Sequence, residues 1–217
     1  MKLTSPILSI FSIICKLSPV LDCPLFDYIY KKLDHDHFDI DPTDFKSLLN
    51  LKGLDTTMRN FVLKLYHQKL ISPAQRRHID RDQCDEDRTG LCVSCNENAT
   101  SFHLLFECEN NIRLLSKLEQ LYLNSNIINA RNLLSKNFGT DKFISKMYYL
   151  LFTVYAHCVN STMTSNKILS WPHLIFSFNL TIKKITVNNN RFKENILRKI
   201  EDNLISSSLM HSLNRLA

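Results

Sequence analysis

Hydrophobic residues recur at helical spacing through most of the chain. The clearest short run follows Thr57, where one buried helix face is predicted by the spacing i, i+3, i+4, i+7 and i+8 of Met58, Phe61, Val62, Leu65 and Tyr66. The longest run starts after Thr140 or Asp141 and continues to Cys158. The pattern predicts further helices after Asn110 or Asn111, after Trp171-Pro172, and after the interruption at Asn188–Asn190.

Helix start signals add shorter elements. Asp41 before Pro42 predicts a helix that runs to about Leu51 and stops near Gly53. Ser72-Pro73 predicts a short helix that carries Arg76 and Arg77. Another short helix is expected over residues 130–136, and the end of the chain from residue 206 is expected to fray. With only 3 glycines among 217 residues, tight strand turns are disfavoured, and the predicted fold class is mainly α.

One stretch interrupts this helical pattern with a different chemistry. Cys92, Cys95, His103 and Cys108 form a C-x2-C-x7-H-x4-C array within seventeen residues. Three thiolates and one imidazole suit a tetrahedral Zn²⁺ ion, and four protein ligands leave no open coordination position. The spacing therefore predicts one structural zinc ion that staples a small loop or knuckle in the middle of a helical domain.

Two other cysteines lie near groups that could give them a role. Cys84 precedes the array by eight residues and is interpreted as a spare thiol, with assistance in metal binding left open. Cys158 follows His157 directly, which could suggest a thiol nucleophile. Because neighbouring residues on a helix point about 100° apart, a buried structural thiol is the preferred interpretation.

Charge divides the chain into unequal halves. Residues 1–110 hold 13 Lys and Arg against 16 Asp and Glu, a net −3, whereas residues 111–217 hold 14 against 5, a net +9. A basic half is typical of proteins that contact phosphate, so RNA or DNA is the predicted partner. The candidate contacts are Arg76, Arg77, Arg81, Lys183, Lys184, Arg191, Lys193, Arg198 and Lys199. The alternative is that these are exposed helix surfaces that bind nothing.

The cysteine count and the first residues bear on location. The chain has 7 cysteines, an odd number with three of them clustered, which disfavours a disulfide framework and indicates a reducing, intracellular compartment such as cytoplasm or nucleus. The apolar run of residues 7–15 has the length of a signal h-region, but Lys16 ends it and no cleavage pattern follows, so a buried helix is expected instead of secretion. No apolar run is long enough to span a membrane.

The four candidate ligands and their flanks resemble the zinc-binding domain on the C-terminal side of LINE-type (non-LTR) retrotransposon reverse transcriptases. That family has C-x2-C, a polar loop often ending Glu-Thr, then His-Leu-hydrophobic-aromatic-x-Cys. Here the corresponding residues are Cys92, Cys95, Ala99-Thr100 and the run from His103 to Cys108. Lys64–Leu70 resembles the family's basic, leucine-rich upstream helix, although Phe61 stands near the place of its usual tryptophan and Ala99 replaces its glutamate.

The resemblance covers about residues 45–123 and implies an accessory, non-catalytic module that helps hold template RNA or target DNA. No Tyr-x-Asp-Asp polymerase motif occurs, and no Pro-Asp follows Cys108. We therefore expect a stand-alone or truncated copy and not an enzyme. Three alternatives stay open. They are a metal-dependent nuclease, a structural or protein-interaction helical domain without nucleic-acid binding, and a secreted helical protein.

Three regions are predicted along the chain. Residues 1–40 would form an N-terminal helical segment with an acidic, solvated linker. Residues 41–123 would hold the helices that flank the zinc module, whose core is 91–109. Residues 124–217 would form the basic C-terminal helical region.

Overall fold

The computed structural model describes residues 24–33, 43–79, 90–125, 128, 141–202 and 204–215. The predictions for the first apolar run, the acidic linker, the short helix over 130–136, Arg81 and Cys84 lie outside these residues. The described part is mainly α, as predicted, and contains no β-strand. The β-type pairing among the described residues is one isolated bridge between Leu91 and Asn98.

Nine α-helices are described. They are α1 Pro24–Leu33, α2 Thr43–Ser47, α3 Thr56–Tyr66, α4 Pro73–Ile79, α5 Glu109–Leu123, α6 Lys142–Thr164, α7 Trp171–Asn188, α8 Asn190–Glu201 and α9 Ser208–Arg215. A 3₁₀ turn, Leu48–Asn50, continues α2, and a π-helical turn, His103–Glu107, precedes α5.

Local capping chemistry explains where several helices begin. The Asp141 carboxylate accepts the Phe143 backbone N–H at 2.8 Å, which confirms Asp141 as the start of α6. Ser72 and Gln75 form a reciprocal capping box at α4, since the Ser72 hydroxyl accepts the Gln75 N–H and the Gln75 amide oxygen accepts the Ser72 N–H. Asn189 separates α7 from α8, and its side chain caps α8 by accepting the Phe192 N–H.

Helix α6 lies at the centre of the described fold. Its residues from Met147 to Ala156 are buried without a break. A helix that is apolar on all sides must be covered on all sides, and α6 packs against α2, α3, α5, α7 and the π-helical turn. No helix among the described residues is long and apolar enough to cross a membrane.

The structure corrects two of the predicted helix boundaries. Helix α5 begins at Glu109 and not after an Asn110 or Asn111 cap, because the Asn111 side chain is buried and donates to the Leu104 carbonyl instead. Residues 208–215 form a helix, although fraying was expected from residue 206. Helix α9 packs on α5 and α7 through fully buried Leu209 and partly buried Leu213.

Gly53 allows the loop before α3 to lie directly on α7. Its φ of +90° is a conformation that other residues avoid, and a Cβ there would come within 2.6 Å of the Ile185 Cα atom and the Lys184 carbonyl oxygen. Beside this contact, the Lys184 ammonium lies 2.8 Å from the Asp55 carboxylate. The loop and α7 are therefore joined by close backbone packing and by one ion pair.

The substitution Gly53→Ala should lower the free energy of unfolding by roughly 2–4 kcal/mol, since the new methyl group adds backbone strain and a clash with α7. Urea unfolding followed by circular dichroism measures this change. The neighbouring, exposed Lys52→Ala serves as the control and should change stability by less than about 0.5 kcal/mol. Equal stability of the two variants would contradict the proposed role of Gly53.

Candidate metal centre

A tight backbone turn brings Cys92 and Cys95 to the same side. The Cys92 N–H donates to the Glu97 carbonyl at 2.7 Å, and the Asn96 N–H donates to the Cys92 carbonyl at 2.8 Å. Asn96 takes a left-handed φ of 61°, which turns the chain back on itself. The Leu91–Asn98 bridge closes the base of this turn. The result is a short knuckle with two thiols at its centre.

The second ligand pair is placed by the π-helical turn. His103 and Cys108 are five residues apart, and the Cys108 N–H donates to the His103 carbonyl at 2.7 Å. This i→i+5 bond closes a wider turn than an α-helix does, so both side chains project toward the knuckle. The Thr100 hydroxyl accepts the His103 N–H at 3.1 Å and fixes the start of the turn.

The two turns bring all four predicted ligands together. Their ligand atoms lie within 4.8 Å of one another. The Cys92 and Cys108 sulfurs are 3.7 Å apart, and the Cys95 sulfur is 3.2 Å from the His103 Nε2 atom. All three cysteines are free thiols without a disulfide. The four side chains are thus close enough to hold one metal ion.

Burial disfavours a bare negative charge on the Cys92 sulfur. It raises the pKa of the Cys92 thiol to about 12, against the opposing effect of the Ser94 and Cys95 backbone N–H groups. The neutral thiol is therefore the favoured form at neutral pH when no cation is bound. A divalent cation reverses this preference, because its charge offsets that of the thiolates.

Two buried side chains, through contacts that no sequence pattern predicts, hold the π-helical turn in place. The Asn111 amide donates to the Leu104 carbonyl at 2.9 Å, and the Tyr155 hydroxyl donates to the Leu105 carbonyl at 3.1 Å. Burial raises the pKa of Tyr155 well above its ordinary value, so this hydroxyl keeps the proton that it donates. Since Tyr155 belongs to α6, the turn that carries two candidate ligands is attached to the central helix.

An aromatic cluster packs the other side of the turn onto the core. Phe106 stacks on Phe152 of α6 at a centroid distance of 5.7 Å, and Phe102 contacts both Phe106 and Tyr28 of α1. Leu104 and Leu105 are buried between the two ligands. This hydrophobic segment therefore packs the knuckle onto neighbouring helices.

Glu97 is a residue that the sequence reasoning missed. One of its carboxylate oxygens lies 3.1 Å from the His103 Nδ1 atom, on the opposite side of the ring from the thiols. A Glu107 carboxylate oxygen lies farther from the same nitrogen, at 3.8 Å. The sequence offered one signal for this contact, an acidic residue between the two ligand pairs, but no spacing rule assigns it to the histidine.

Cys158 and His157 have different surroundings. The Cys158 thiol is fully buried, and this burial raises its pKa. The His157 ring instead packs edge-on against Phe61 at a centroid distance of 4.9 Å, and burial lowers its pKa. These positions agree with the interpretation of Cys158 as a structural thiol.

The predicted phosphate-binding residues differ in their exposure to solvent. Arg76 is partly exposed on α4, and the side chain of Arg77 lies outside the described part. Lys183 is partly exposed on α7, and the exposed cations of α8 are Arg191, Lys193 and Arg198.

Two of the predicted cations are already engaged by carboxylates. Lys184 pairs with Asp55 and lowers the pKa of that carboxyl group. Lys199 lies 2.5 Å from Asp141, whose pKa it lowers, and 3.5 Å from Asp202. The fold therefore leaves a smaller positive surface than the charge count alone predicts.

Comparisons of this chain with protein families, with curated proteins and with solved structures find no match.

Metal binding at neutral pH should release at least one proton, because the Cys92 thiol is protonated there and coordinates as a thiolate. The apparent affinity should accordingly weaken as the pH falls. Calorimetric titration with Zn²⁺ in two buffers of different ionisation enthalpy counts the protons released. A binding heat that is the same in both buffers would contradict this protonation state.

Proposed function

We propose that this chain is a non-catalytic module that holds one structural Zn²⁺ ion and binds RNA or DNA without sequence preference. The observation that carries the zinc assignment is the convergence of four ligand atoms from the knuckle and the π-helical turn. The resemblance of their flanks to the zinc-binding domain of LINE-type reverse transcriptases supports the same assignment, and a derivation from such an element is part of the proposal.

The distances support zinc in particular. Two thiolates bound to one tetrahedral Zn²⁺ ion at about 2.3 Å lie about 3.8 Å from each other. The Cys92 and Cys108 sulfurs are 3.7 Å apart, so this pair needs almost no movement to bind. The Cys95–His103 contact of 3.2 Å needs only a slight opening. A donor set of three thiolates and one imidazole also favours zinc over magnesium or calcium, which prefer oxygen ligands.

A structural role follows from the number of ligands. Four protein ligands complete the tetrahedron and leave no position for a water molecule to be activated. Structural zinc sites of this type bind with apparent free energies of roughly 10–16 kcal/mol at neutral pH, as large as the stability of a whole domain. The metal would therefore hold together a segment that contains too few apolar residues to fold alone.

Elemental analysis of the purified chain tests the zinc assignment. We expect one zinc per chain, and we expect Cys92→Ser combined with Cys95→Ser to abolish it and to reduce the helical circular dichroism signal. Cys158→Ala is the matched control, since it removes a buried cysteine outside the cluster and should keep the zinc. A chain that is equally folded after treatment with a chelator would overturn the structural role.

The nucleic-acid part of the proposal is supported by the exposed cations of the C-terminal half. Arg191, Lys193 and Arg198 lie on α8 without a carboxylate partner among the described residues, whereas Lys184 and Lys199 are held in ion pairs. Fixed cations bind phosphate and displace condensed counterions, which makes such binding independent of sequence and sensitive to salt.

Fluorescence anisotropy with labelled single-stranded RNA and DNA tests this part. We expect affinity to fall steeply with salt, and the triple substitution of Arg191, Lys193 and Arg198 by Ala to reduce the slope of log K against log salt by about 2–3. The control removes the same charge from exposed positions in the first half, through a triple Ala substitution of Lys52, Lys64 and Lys69. Absence of binding at low salt would remove nucleic-acid binding from the proposal and leave the zinc assignment standing.

A second candidate function, a protein-interaction domain, is favoured by one observation on α7. Phe176 and Val187 are 58% and 70% exposed, respectively. They are eleven residues apart, close to three helical turns, so they lie on the same side of the helix. This candidate predicts the same zinc content and no nucleic-acid binding, and the anisotropy measurement therefore separates the two.

A further inference from the structure

We propose that Glu97 is a positioning residue of the metal centre, which holds the His103 ring in the tautomer that presents Nε2 to the metal. This inference rests on the zinc site proposed above. It concerns a residue that is not itself a ligand.

The His103 ring has a different neighbour at each nitrogen. Its Nε2 atom lies 3.2 Å from the Cys95 sulfur, and its Nδ1 atom lies 3.1 Å from a Glu97 carboxylate oxygen. A neutral imidazole carries its proton on one nitrogen and a lone pair on the other. A carboxylate can only accept, so Glu97 favours the tautomer with its proton on Nδ1, which leaves the Nε2 lone pair for the metal.

The backbone that places Glu97 is the same backbone that places the thiols. The Glu97 carbonyl accepts the Cys92 N–H at 2.7 Å, and the next residue, Asn98, forms the bridge with Leu91. The Glu97 backbone therefore cannot shift without moving the Cys92–Cys95 turn. The Glu97 carboxylate reaches across to the π-helical turn, so this 3.1 Å contact connects the close ligand pair to the wide one.

Glu107 provides an internal control for the effect of charge. It carries the same carboxylate and faces the same nitrogen, but at 3.8 Å it is too far for a hydrogen bond. Both residues add one negative charge near the bound cation. Only Glu97 is placed to fix the tautomer, and so the two substitutions separate charge from hydrogen bonding.

Competition with a chromophoric zinc chelator at neutral pH measures the effect on affinity. Loss of an outer partner of a ligating histidine costs about 10–100-fold in metal affinity. We expect Glu97→Ala to weaken zinc binding about 10-fold, at the low end because the Glu97 side chain is 70% exposed. Glu97→Gln keeps an acceptor and should restore most of the affinity, whereas Glu107→Gln should change it by less than about threefold.

Nuclear magnetic resonance of the His103 ring supplies a readout that a general loss of stability would not produce. In the zinc-loaded wild type and in Glu107→Gln, we expect a protonated, slowly exchanging Nδ1. In zinc-loaded Glu97→Ala, the Nδ1 proton should exchange rapidly with solvent. The Co²⁺-substituted variants should keep the absorption spectrum of a tetrahedral site with three sulfurs and one nitrogen, which verifies that the ligands are unchanged.

The outcomes separate this inference from the assignment on which it rests. If the wild type binds no zinc, both the zinc assignment and the role of Glu97 are overturned. If the wild type binds zinc tightly while Glu97→Ala matches Glu107→Gln in affinity and in Nδ1 exchange, only the role of Glu97 is overturned. A 10-fold loss that Glu97→Gln restores, together with rapid Nδ1 exchange in Glu97→Ala, supports it.

Discussion

Three cysteine sulfurs and one imidazole nitrogen share a space in which every pair is within 4.8 Å, and much of the surrounding structure keeps them there. Burial disfavours a bare thiolate at Cys92. The ionisation of that thiol therefore depends on whether a cation is held at the centre. The neighbouring helices hold the four ligand side chains in place around this centre.

The surrounding helices contact the ligand cluster through the π-helical turn. A π-helix is rare because its hydrogen bonds are poorly aligned, and it persists where other contacts stabilise it. Here those contacts come from Asn111 on α5, from Tyr155 on α6, and from the stacking of Phe106 on Phe152. The core helix α6 is therefore structurally coupled to His103 and Cys108, although none of its residues is a candidate ligand.

The features that could be predicted from the sequence are those that local chemistry determines. Asp141 and Ser72 cap their helices through residues two or three positions away, and the ligand spacing identified the residues that converge. The features that were missed join distant segments. Lys184 is paired with Asp55 across 129 positions, and no pattern along the chain indicates that partner. Helix α9 was missed because serines around residue 207 concealed the spacing of Leu209 and Leu213.

Leu105 and Tyr155 are far apart along the chain, which bears on the order in which parts of the site form during synthesis. All candidate ligands lie within seventeen residues, so the loop that brings them together is short and closes at little cost in chain entropy. The hydroxyl that anchors this segment is 50 residues farther along the chain. During synthesis the ligand segment leaves the ribosome before α6 exists, and domains acquire structure as they emerge. All four candidate ligands are thus present in the emerging chain before the helix that helps to enclose them.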